Sequence, residues 1–142
     1  MIIVDINLLL YAELDATPAH AAARRWWEDV MNGDRQVGIP PVSLFGFVRI
    51  STNRRVFVSP LSIDDALGRV REWLERPHVT FLTPGPRHLE IAFGFLEKLG
   101  SAANLTSDVQ IAAHAIESGG EVFSNDREFA RFPGLRWTNP LE

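Results

Sequence analysis

Apolar positions along the chain follow two spacings in turn. Ile2-Ile3-Val4 is an unbroken β-branched run that stops at Asp5, the pattern of a short strand buried on both faces over residues 2–5. Asn7 is a cap-forming residue ahead of Leu8, Leu9, Leu10 and Tyr11, so a brief helical turn is expected there. Pro18 opens a helix through about Met31, with Trp26, Trp27 and Val30 at helical spacing and Asn32-Gly33-Asp34 as its stop. A strand over Gln36–Ile39 precedes Pro40-Pro41. From Ser43 to Thr52 the apolar Leu44, Phe47 and Val48 alternate with the polar Arg49 and Asn53, a helix with one wet side.

The second half continues the alternation. Ser62, followed three residues later by Asp65, is an acidic variant of the capping box and starts a helix carrying Ala66, Val70, Trp73 and Leu74, which Pro77 closes. Val79–Leu82 reads as a strand. Pro86–Leu99 reads as a helix with Leu89, Phe93, Leu96 and Leu99 on its buried side, and Gly100 ends it. Thr106 or Ser107 begins another, with Val109, Ala112, Ala113 and Ile116 facing inward as far as Gly119-Gly120. Glu121–Ser124 is a strand that again leads to an acid, Asp126. A short helix around Phe129 and a terminal strand over Leu135–Thr138 complete the series. Strands alternating with helices call for a mostly parallel sheet between helical layers, in one domain over residues 1–141 with the terminal Glu142 set aside. Ligands of such sheets collect outside the carboxyl ends of the strands.

That expectation turns attention to the acids. Asp5 ends the first strand, where an unpaired carboxylate is costly to bury; it is either a helix cap or part of a site. Asp126 holds the same position after the strand of Glu121–Ser124 and allows the same two readings. Asp108 lies in the first turn of its helix, where exposed amides favour negative charge. Two strands of one sheet that deliver carboxylates to one edge bring like charges together, which a cation between them relieves. Taken alone, Asp108 is explained at least as well by a helix-start role; taken with Asp5 and Asp126, it gives the expectation of a compact oxygen-ligand site for Mg²⁺ or Mn²⁺. Glu13 and Glu90 are candidates only at longer reach.

Composition narrows the chemistry further. The chain has no cysteine, so disulfides and thiol chemistry are absent and zinc is disfavoured. His20, His78, His88 and His114 show no metal-ligand spacing, and the glycines form no phosphate-binding loop. GxSxG is missing, which argues against a serine hydrolase. Apolar stretches fall well short of a membrane span, and a basic, cleavable leader is lacking; the cytoplasm is the expected location. Net charge is −4, distributed as −3 over residues 1–48, +3 over 49–87 and −4 over 88–142. The positive middle includes Arg49, Arg54 and Arg55, with Ser51, Thr52 and Asn53 among them. These types suit phosphate oxygens, though a solvated helix end explains them equally well. Trp26, Trp27, Trp73 and Phe57 are a large aromatic load for a small core, and a homodimer is expected to cover part of it.

Four stretches in order resemble the PIN-domain ribonucleases, and within them the VapC-type toxins of bacterial toxin–antitoxin pairs. They are Ile3-Val4-Asp5-Ile6-Asn7 running to Ala12, Gly46-Phe47-Val48-Arg49, Asn104-Leu105-Thr106-Ser107-Asp108, and Ser124-Asn125-Asp126-Arg127-Glu128-Phe129. The resemblance implies a three-layer α/β/α fold with a five-stranded, mostly parallel sheet. It implies hydrolysis of RNA with Mg²⁺ or Mn²⁺, and inhibition by a small VapB-like antitoxin. The family's acidic positions fall on Asp5, Asp108 and Asp126, its polar companions on Asn7 and Ser124, and Arg49, Arg54 and Arg55 are the expected contacts to RNA. One position departs: a glutamate that many relatives carry is Gly46 here. A glutamate at 46 is expected to tighten Mn²⁺ binding if its helix flanks the carboxyl edge of the sheet. The departure also keeps open a catalytically weak interaction module; a metal-dependent phosphatase is a poorer reading, because little chain is left for a substrate-enclosing cap.

Overall fold

The computed structural model describes residues 1–142, the side chain of Ala103 excepted. Five parallel strands form one sheet in the order β3-β2-β1-β4-β5, with β1 at Ile2–Val4, β2 at Val37–Ile39, β3 at Val79–Phe81, β4 at Glu121–Phe123 and β5 at Trp137–Thr138. Helices α1 (Ile6–Glu13) and α2 (His20–Asn32) link β1 to β2, and α3 (Pro41–Ser51) and α4 (Ile63–Leu74) link β2 to β3. Helices α5 (His88–Leu99) and α6 (Thr106–Ser118) then carry the chain back across to β4. The period of two in β1 sorts the layers. Ile2 and Val4 pack with α1 to α4, whereas Ile3 packs with α5 and α6. The result is three layers, α/β/α, as the sequence predicts. Among the described residues no helix is long and apolar enough to cross a membrane.

Local differences from the sequence expectation have identifiable causes. The first helix is a full two turns, and its N-cap is Asp5, whose Oδ1 accepts from the Ile6 amide at 2.7 Å. Asn7 is spent elsewhere. Pro18 lies ahead of α2 and does not open it, while Pro41 occupies the first turn of α3. Ser62 caps α4 as expected, accepting from the Asp65 amide. In α5 the buried side is His88, Ala92 and Phe95, with Leu96 and Leu99 packed beside it; Leu89 and Phe93 are 64% and 54% exposed. Gly100 and Gly119 end α5 and α6 at φ near +70°, where a side chain is strained.

The topology fixes where a site belongs. From β1 the chain builds outward to β2 and β3 over one face, then returns to place β4 on the other side of β1 over the opposite face. The order therefore reverses between β1 and β4, and a crevice opens beyond their carboxyl ends.

Candidate active site

Asp5 and Asp126 follow the two strands that flank this reversal. The strand ends are tied by the Asp5 amide donating to the Phe123 carbonyl at 3.1 Å. Asp5 is buried, and its carboxylate is held from two sides: Oδ1 by the Ile6 amide and Oδ2 by the Ser124 hydroxyl at 2.6 Å. Ser124 in turn accepts from Asn7 Nδ2 at 3.2 Å and from the Asp126 amide at 2.9 Å. Asn7 Oδ1 accepts from the Asn125 amide. The side chains of Asp5 and Asn7 after β1 and of Ser124 after β4, with the Asn125 and Asp126 amides, thus form a single network, which joins positions 117 to 119 residues apart. Asp126 caps the 3-10 turn Arg127–Arg131 through Oδ1, which accepts from the Glu128 amide at 2.9 Å. Both cap readings of the sequence hold for Asp5 and Asp126, and neither excludes a site.

Asp108 enters from α6. It stands in the first turn of a helix that has no side-chain cap, where the helix dipole favours negative charge. It lines one cavity with Asp126 and Glu128. Burial, followed by the charges of Asp5, Asp126 and Glu128, pushes the Asp108 carboxyl up to about 7. Asp5 is raised to about 6 by burial, against the lowering effect of its bonds from Ser124 and the Ile6 amide, with the charge of Asp126 adding a further rise. Carboxyls raised by burial, and further by one another's charge, mark a place where negative charge is costly to hold.

This is the environment a divalent cation neutralises, and the donors are all hard oxygens. Among the described residues no three histidine or carboxylate side chains stand close enough together to hold one ion directly. The donor set fits the group in charge and type.

Removing one charge should therefore stabilise the protein. Asp108 has a folded pKa of about 7 against an ordinary value of 3.8. Below the ordinary value both states are protonated and nothing is gained. As pH rises from there towards 7 the unfolded chain ionises first, and the folded protein is progressively penalised. Asp108→Asn is expected to melt about 3–5 °C higher than the parent at pH 8 in chelator, a gain on the order of 1 kcal/mol once the half-exposed position is discounted for screening. The two curves should converge near pH 4, and Mg²⁺ should stabilise the parent alone. A lower melting point for the variant at pH 8 would make Asp108 a helix-start residue only.

The other residues singled out by sequence lie elsewhere. Arg49, Arg54 and Arg55 are exposed at and beyond the end of α3 and do not line the cavity. Glu13 is a buried counter-ion, bonded by Arg69, Arg24 and the Trp73 indole. Glu90 lies on α5, outside the cavity. His88 and His114 are buried against each other, ring centroids 4.4 Å apart, and burial followed by the His88 charge lowers His114 to about 4. Gly46 is buried against Ile6, the residue after Asp5: a Cβ there would lie 2.6 Å from Ile6 Cδ1. Helix α3 therefore packs on the residue after Asp5, and a side chain at 46 first meets Ile6. Two residues the sequence reading did not single out, Glu128 and Arg131, line the cavity; their signal was an opposite-charge i,i+3 pair directly after Asp126.

The PIN domain family model matches residues 2–135. The chain is a PIN-domain protein of the VapC group. Ribonuclease VapC33 of Mycobacterium tuberculosis is 54% identical over 141 residues, 99% of both chains. Ribonuclease VapC37 of the same organism is 37% identical, over 99% of this chain and 97% of its own. Among solved structures, M. tuberculosis VapC20, described as a sarcin-ricin loop cleaving toxin, superposes with a TM-score of 0.71 at 16% identity, covering 96% of this chain and 99% of that one. VapBC-1 from nontypeable Haemophilus influenzae gives 0.69 at 20% identity over the whole of both chains. These distant structures bear on the fold, and the VapC relatives on the family. The matched segment, residues 2–135, includes Asp5, Asp108 and Asp126.

Proposed function

We infer that this chain is a divalent-metal-dependent endoribonuclease and the toxin of a toxin–antitoxin pair. The observation that carries the reading is the gathering of Asp5, Asp108 and Asp126 at the β1/β4 reversal in a chain that shares more than half its residues with a ribonuclease over full length. We assign Asp5, Asp108 and Asp126 as the metal-holding and catalytic carboxylates, with Mg²⁺ as the ion and Mn²⁺ as a substitute. When bound, the ion supplies charge neutralisation at the scissile phosphate and acidifies an attacking water. The chain supplies orientation. Ser124 and the Ile6 amide hold the Asp5 carboxylate in one rotamer, and Asn7 fixes Ser124 so that its single proton points at Asp5. One of the three carboxylates, turned to the water instead of the ion, would orient it and accept its proton as the phosphodiester bond breaks. Arg49, Arg54 and Arg55 hold RNA backbone beyond the cavity.

The test is a fluorogenic single-stranded RNA incubated with the purified chain in Mg²⁺, in Mn²⁺ and in chelator. Cleavage is expected with either ion and none in chelator; cleavage that is unaffected by chelator would overturn the metal assignment.

This reading also names partners and place. A VapB-like antitoxin is the expected inhibitor, in keeping with the VapBC assemblies among the structural neighbours, and the protein works in the cytoplasm. A homodimer is retained, on grounds other than the tryptophans. Trp27 and Trp73 are core residues, and the indole of Trp137 donates to the Ser124 carbonyl. Exposed apolar area comes instead from Phe45, Leu89 and Phe93. Sedimentation at micromolar concentration should give twice 15.9 kDa; a single monomeric species would remove the dimer.

A further inference from the structure

We propose that Arg131 is the side chain that binds the RNA phosphate at the carboxylate cavity, with Glu128 as its positioning residue. The proposal rests on the ribonuclease reading above. It starts from a charge problem. Asp108, Asp126 and Glu128 line the cavity, and the substrate is itself a chain of phosphodiester anions. Among the described residues lining it, Arg131 is the one cation. Arg49, Arg54 and Arg55 lie outside, and neighbouring Arg127 is paired with Glu142 at 3.1 Å.

The turn that carries Arg131 is built to hold it still. Asp126 caps the start of the turn and Arg131 ends it. Phe129 and Phe132 on either side are fully or nearly fully buried, with ring centroids 5.6 Å apart, and Phe132 stacks on Phe95 of α5. Backbone on both sides of Arg131 is thus pinned into the core, while its own side chain is 53% exposed. Glu128 Oε2 accepts from Arg131 Nη1 at 2.7 Å, and the glutamate is 48% exposed. Among the described residues this is the one hydrogen bond of a guanidinium that carries five donors. An exposed i,i+3 pair adds little stability. It does restrict the rotamers of Arg131 beside the cavity, and the planar fork that remains matches two non-bridging phosphate oxygens.

The experiment uses the full chain carrying Asp5→Asn, so that RNA is bound and not cut, and a fluorescein-labelled single-stranded oligoribonucleotide titrated by anisotropy across a salt series. Adding Arg131→Ala is expected to weaken binding roughly tenfold, as for loss of one charged hydrogen-bonded contact. The slope of log affinity against log salt should fall by about 0.7, the value for one phosphate on a single strand. Arg131→Lys should keep the slope and lose only part of the affinity. Unchanged affinity and slope in Arg131→Ala would overturn the proposal and leave the ribonuclease reading intact. Recovery of parental binding in Glu128→Gln/Arg131→Ala would also overturn it, by showing that Arg131 merely neutralises Glu128. Failure of the Asp5→Asn chain itself to bind the oligoribonucleotide would count against both.

Discussion

Asp5→Asn is expected to leave a folded protein whose RNA cleavage has fallen by about a thousandfold or more, the scale on which loss of a preorganised charge-stabilising group is measured. The substitution keeps the size of the side chain but not its bonding. Asp5 accepts from two donors at once, the Ile6 amide and the Ser124 hydroxyl. Ser124 cannot reverse its role, because its oxygen already accepts from Asn7 Nδ2 and the Asp126 amide. An asparagine has one carbonyl oxygen to offer two donors, so one bond is lost and its NH₂ meets a group with no lone pair to spare. That loss is offset by removal of a buried charge whose pKa is raised to about 6. Melting is therefore expected to shift by only a few degrees, while the anion central to the site is gone. Circular dichroism with the fluorogenic assay checks both halves. A variant that retains a tenth of parental activity would remove Asp5 from the catalytic set.

The contrast between what the sequence predicts and what the structure holds follows the range of the interactions. Elements defined by neighbours in sequence are legible: the β-branched run of β1, the Ser62 cap of α4 and the glycine ends of α5 and α6. Asp5 and Asp126 are legible as a pair because each follows an apolar run, and a parallel sheet places such positions on one edge. Long-range partners are not legible. Asn7 looks like a cap because its type favours caps, yet both its amide atoms are engaged across more than a hundred residues, by Ser124 and Asn125. In α5 two stripes have helical spacing. The one that is buried begins with His88, whose burial depends on His114 from another helix and leaves no hydrophobic signal. The arginines clustered in sequence at 49, 54 and 55 drew the reading of a phosphate surface. Arg131, which follows Asp126 and is paired in sequence with Glu128, is the arginine that lines the cavity with Asp108 and Asp126.

Gly46→Glu is the second substitution expected to have a large effect, and the effect is on folding before it is on metal. The sequence alone suggests that a carboxylate at 46 would join the cluster, and α3 packs Gly46 against Ile6, the residue after Asp5. The cost lies in the first atom added. A Cβ at 46 comes within 2.6 Å of Ile6 Cδ1 and 2.9 Å of Cγ1. These are flexible side-chain atoms, so Gly46→Ala asks only for a shift of Ile6, and the gain in helix propensity of about 0.8–1 kcal/mol covers much of it. A glutamate must in addition find a path for its stem through space that Ile6 occupies, and its charge then meets carboxyls already raised by their neighbours. Gly46→Glu is expected to cost about 3 kcal/mol, lowering the melting temperature by about 10 °C in chelator, whereas Gly46→Ala stays within a few degrees of the parent. Pairing it with Ile6→Ala clears the path. The double variant should recover part of the loss and bind Mn²⁺ more tightly than the parent by calorimetric titration, without needing to cut RNA faster. If Gly46→Glu alone melts with the parent and binds Mn²⁺ more tightly, Ile6 swings aside freely and the glycine is no steric requirement. If the double variant folds and binds Mn²⁺ no better, position 46 does not face the ion, and the contact between α3 and Ile6 closes the core and not the site.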